Sequence, residues 1–80
     1  MDITENQVMA VVGSEYSSIA VITYRLFPET HWDWTGAQEE AYRSLVFQVV
    51  LGLVRAGRLT GECRETRSGS VMLVRKVLAD

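Results

Sequence analysis

Apolar and polar positions alternate along the chain in four blocks, and the spacing within each block predicts an element. In the opening "DITENQVMAVV", Thr4 and Gln7 have the spacing of a reciprocal helix cap, with Ile3 and Val8 placed to staple it. A helix from about Glu5 to Val12 follows. Gly13 suits a left-handed helix end, so "GSEYSS" reads as a connector. The second block, "SIAVITYRLF", carries two signals: Val21, Ile22, Thr23 and Tyr24 favour strand by type, whereas Ile19, Ile22 and Leu26 fall on one helical face. Helix is preferred, with strand as the alternative. Pro28 ends either element near Phe27.

The third block opens with a second cap of the same kind, Thr35 with Gln38, and Glu39 and Glu40 complement the positive end of a helix starting near Gly36. Running to Ala56, that helix spans about 30 Å at roughly 1.5 Å per residue. Tyr42, Leu45, Val46, Val49 and Leu53 form one apolar stripe and are expected to face the core; Phe47, Leu51 and Val54 form another on the far side. Gly57 breaks the helix. Leu59 then opens a strand through "TGECRET" to the turn "RSGS", and "VMLVRKVL" returns as its partner. Alternation puts Val71, Leu73 and Val77 on one face and Met72, Val74 and Leu78 on the other, so both faces of the returning strand are expected to find some cover.

Eighty residues suit one domain, here spanning residues 1–80, and 48% hydrophobic against 22% charged residues is the composition of a chain that folds. A formal charge of -2 supplies no long-range attraction to polyanions, so any nucleic-acid contact must be local. Cys63 is the single cysteine and is expected to be a small buried strand residue. No secretory leader pattern opens the sequence, which leads to the expectation of a cytoplasmic protein. The nearly apolar run at 45–54 is about half of a membrane span and contains Gln48 and Gly52, so no membrane association is expected.

Short helices, a longer helix ending "VVLGLVRAGRL", and a closing hairpin resemble the winged helix-turn-helix superfamily, small bacterial or phage type. The resemblance implies an α+β fold, two or three helices followed by a C-terminal β-hairpin wing. It also implies that the helix before the wing enters a DNA groove by its N-terminal positions. Those positions are Gln38, Glu39, Tyr42 and Arg43 in this chain. Gln38 and Arg43 carry donors for base edges and Tyr42 a hydroxyl for phosphate, whereas Glu39 and Glu40 bring the wrong sign. On the wing, Arg64 and Arg67 flank a turn, and Lys76 is a further phosphate candidate.

Elsewhere the chain is chemically spare. One histidine and one cysteine do not make a metal site, and no serine has a base and an orienting group beside it; neither catalysis nor a cofactor is expected. The loop "HWDW" offers Trp32 and Trp34 either as caps on a small core or as anchors for a protein partner. The second stripe, Phe47, Leu51 and Val54, lies either under neighbouring elements or in a homodimer interface, where Gly52 would let a second backbone approach. Two functions are therefore expected in order: a dimeric double-stranded DNA-binding protein regulating transcription, and a protein-binding module on the same fold, such as a phage-encoded inhibitor of a host defence complex. In the first, Arg43→Ala relaxes sequence preference and Arg67→Ala weakens binding uniformly.

Overall fold

The computed structural model describes residues 3–28 and 31–77, without the His31 side chain. The elements follow in the order α1 (Glu5–Val11), β1 (Ser17–Ser18), α2 (Ile19–Leu26), a short 3-10 turn (His31–Asp33), α3 (Gly36–Arg55), β2 (Leu59–Thr66) and β3 (Gly69–Lys76). Among the described residues, three α-helices and a three-stranded antiparallel sheet make the fold α+β, an arrangement compatible with a winged helix. Among the described residues, no helix is long and apolar enough to cross a membrane.

Both reciprocal caps form. Thr4 Oγ1 accepts from Gln7 N at 3.2 Å while Gln7 Oε1 accepts from Thr4 N at 2.9 Å, and Thr35 and Gln38 repeat the exchange at 3.2 and 3.0 Å. The second block is helical: Ser18 Oγ accepts from Val21 N at 3.2 Å, and Thr23, fully buried, satisfies its hydroxyl on Ile19 O at 2.8 Å. Burial of Ile22 on the helical face outweighs the strand preference of its neighbours. At the far end of α3, Gly57 adopts φ 78°; its N–H donates to Val54 O at 3.1 Å, and Arg58 N donates to Leu53 O at 2.9 Å. This pair of bonds is the Schellman closure, which needs a left-handed residue at the position of Gly57. Leu59 then turns back into the core, 2% exposed.

The core is one cluster: Val8, Val12, Ile22, Val46, Val50, Leu53, Leu59 and Val74. Several expectations are corrected by it. Leu45 is 39% exposed, Tyr42 is half-buried, and Val50, outside both stripes, is fully buried. The buried line on α3 is Val46, Val50 and Leu53, because α1 and α2 press on one side and β2 on the other, which rotates the covered face away from Leu45. Val54 is half-buried against the core, over Gly61, where an added Cβ would lie 3.5 Å from a Val54 methyl and 2.9 Å from Met72 Cε.

The connector also proved more structured than its sequence suggests. Ser17 and Ser18 pair with Val74 and Leu73, so the sheet runs β1-β3-β2. Gly13 does not take a left-handed conformation; α1 ends on extended Val12, and Gly13 O accepts from Lys76 N at 3.0 Å. Along β2, burial stops after Thr60, and the strand projects beyond the helices. Cys63 is therefore exposed, not buried. Val77 lies past the end of β3 and is 47% exposed instead of sharing a strand face, and Leu78 falls outside the described residues.

Candidate functional site

Two surfaces carry the candidate residues: the start of α3 and the hairpin. At the first, the cap fixes Gln38 by its own carbonyl, leaving only its amide N–H groups to donate outward. Tyr42 is stacked on Trp34 with centroids 4.4 Å apart, and Phe27 contacts both rings at 5.1 and 5.5 Å. This aromatic group locks the α2–α3 corner, so Tyr42 and Trp34 are packing residues as well as candidates. Trp32, in the preceding turn, is 81% exposed.

Glu39 is held from two sides. The Tyr24 hydroxyl donates to its carboxylate, and Arg43 Nη2 lies 3.8 Å away, one helical turn on. An exposed i,i+4 pair contributes only about 0.3–0.5 kcal/mol, so Arg43 can leave Glu39 for a stronger acceptor at little cost. Arg43 also lines a shallow groove of about 260 Å³ with Ser18, Ile19, Ala20, Ser70, Val71 and Met72. That groove joins α3 to the returning strand. Arg43 thus shares one groove with Ser70, Val71 and Met72 of the hairpin, and Glu39 lies beside Arg43.

On the hairpin, Arg67 and Ser68 occupy the turn, and Gly69 takes φ 122° after it. Thr66 Oγ1 donates to Gly69 O at 2.7 Å and accepts from Ser68 N at 3.3 Å, closing the tip. Arg64 has Glu62 at 3.3 Å, and its guanidinium lies 5.8 Å from the centre of the Tyr16 ring. Arg75 lies over the same ring at 4.7 Å. Among the described residues, no carboxylate pairs with Arg67, Arg75 or Lys76.

Lys76 is half-buried at the root of the hairpin, opposite Leu59 and far along the strand from the turn. Strand alternation separates it from Arg75, which shares the outer sheet face with Arg64 and Tyr16. Sequence reasoning missed Tyr16 and Arg75. The signal for Arg75 was its two-residue spacing from Leu73, but Tyr16 needed β1 to bring it alongside. Of the second α3 stripe, Phe47 is 40% exposed, Leu51 half-buried and Val54 taken up against Gly61.

Among the described residues, no three histidine, cysteine or acidic side chains lie close enough to hold a metal ion. Comparison of the chain with protein-family models, with curated proteins and with solved structures finds no match in any of the three.

Proposed function

We propose that this protein is a winged-helix protein that binds double-stranded DNA without catalysing a reaction, contacts it mainly through the hairpin, and serves in transcriptional regulation. One observation carries the proposal: the hairpin is locally cationic. Between Leu59 and Val77 there are four basic and two acidic residues, a local charge of +2 in a chain of -2. The helical part is correspondingly acidic. Such a division favours approach of the hairpin to a phosphate backbone and disfavours deep entry of the α3 start, where Glu39 stays anchored by Tyr24. Arg64 and Arg67 are the phosphate contacts, and Arg43 reaches the duplex from the adjoining groove. Two-fold pairing through Phe47 and Leu51 would double this surface. Retention on duplex DNA that falls with salt is the test; no retention at low ionic strength overturns the proposal.

A second reading is favoured by Trp32. An indole 81% exposed, next to a helix start bearing Glu39 and Glu40, suits a protein partner with a basic rim around an apolar pocket. In that case Trp32→Ala abolishes capture of a host protein that the Arg67→Ala variant still captures, and equal capture by both variants counts against it.

A further inference from the structure

We infer that Tyr16 is a positioning residue which presets Arg64 and Arg75 as a paired phosphate-contacting surface on the outer face of the sheet. The inference rests on the DNA-binding reading above and adds to it a surface, a new contact residue, Arg75, and the device that orders both arginines.

Arg64 and Arg75 lie on different strands. Both guanidinium groups are nevertheless within 6 Å of one ring, at 5.8 and 4.7 Å from its centre. The reason is topological: Ser17 pairs with Val74, so Tyr16, one residue earlier, falls beside Arg75 at the edge where β1 meets β3. In the hairpin register, Val71 faces Arg64 and Arg75 faces Thr60, which places both arginines on the face turned away from Val74 and the core. Tyr16 itself is half-buried, beside the start of β1.

A free arginine side chain samples many rotamers, and ordering it on a phosphate lowers affinity. Stacking on an aromatic face restricts the guanidinium before the ligand arrives while leaving its edge N–H groups turned outward to donate. Arg75 has no carboxylate partner among the described residues, and Arg64 has only the exposed Glu62, whose hold is weak. The charge of Arg75 is thus ordered yet unspent, and that of Arg64 is only weakly engaged. Backbone phosphate fits them better than a base edge, since the contact is to a charge and both groups lie on the open face of a sheet.

The experiment measures duplex DNA affinity against salt for the full chain and for Tyr16→Leu, Tyr16→Phe, Arg75→Ala and Arg75→Lys. Tyr16→Leu is expected to weaken binding roughly threefold to tenfold with little change in salt slope, because both charges remain. Tyr16→Phe keeps the ring and binds as the wild type does. Arg75→Ala lowers the salt slope by about one, and Arg75→Lys keeps the slope but loses affinity as Tyr16→Leu does. Side-chain proton shifts of Arg64 and Arg75, displaced by the ring in the wild type and in Tyr16→Phe, revert in Tyr16→Leu, which separates loss of stacking from loss of fold.

Wild type that binds while Tyr16→Leu matches it overturns the inference and leaves the DNA-binding reading standing, as does full binding by Arg75→Ala. Wild type that does not bind overturns both.

Discussion

The phenol of Tyr24 on α2 donates its hydrogen bond to the carboxylate of Glu39 in the first turns of α3, tying the two helices together at their polar margin. That bond, followed by partial desolvation and the charge of Glu39, raises the Tyr24 pKa above its ordinary value of 10.0. A proton held more tightly in the folded chain than in the unfolded one stabilises fully below the unfolded pKa, and the contribution is lost as pH rises through the folded value. Tyrosinate absorbance should therefore show Tyr24 titrating above its ordinary value, and Glu39→Gln should bring it back down. The stability advantage of wild type over Tyr24→Phe should shrink as the solution is made more alkaline than the unfolded phenol's pKa.

Gly57 supplies the left-handed residue that lets Arg58 and Gly57 close the last turn of α3 on Leu53 and Val54. Among the described residues and apart from its chain neighbours, no atom lies within 4 Å of where a Cβ would go, so a substitution there meets backbone strain and no tertiary clash. Gly57→Ala should cost about 1 kcal/mol in urea denaturation, with an unchanged slope.

At the opposite end of α3, Thr35→Ala removes the acceptor for Gln38 N. The expected loss is about 1 kcal/mol, and Thr35→Ser should restore most of it. Thermal unfolding of the three proteins measures both.

These two ends were legible in the sequence because each is a local device: cap and glycine signals act within a few residues of one another. The hairpin was legible for the same reason. β1 was not, since Ser17 and Ser18 have no alternation and become a strand only by pairing with residues more than fifty positions later. Tyr16 as a partner of Arg64 and Arg75 was hidden with it. Val50 escaped notice because helical periodicity ranks faces by composition, whereas the covered face of α3 is decided by where α1, α2 and β2 press on it. Cys63 misled in the opposite sense: its residue type suggests burial, but β2 has already left the core when it is reached.

Leu53, fully buried and adjacent to the chain reversal, touches the same core as Leu59 and Val74. Leu53→Ala should destabilise by roughly 2–5 kcal/mol, read from the shift in denaturation midpoint. Phe47→Ala, on the exposed side of the same helix, should leave monomer stability within about 0.5 kcal/mol.

The proposed DNA contact divides its labour between two surfaces, and that division is testable. Arg67→Ala at the turn should reduce the salt slope by about one across unrelated sequences. Arg43→Ala should act unevenly among sequences, and equal, slope-free effects of both variants would contradict a hairpin-led contact.

Because β2 loses its cover after Thr60, the two halves of the ribbon answer to different forces. Near Leu59 and Val74 its backbone amides are released to solvent only when the whole molecule opens, while beyond Cys63 they depend on the ladder alone. Deuterium should enter from the turn inward, so the tip can bend to follow a curved partner while its base stays fixed to the helices.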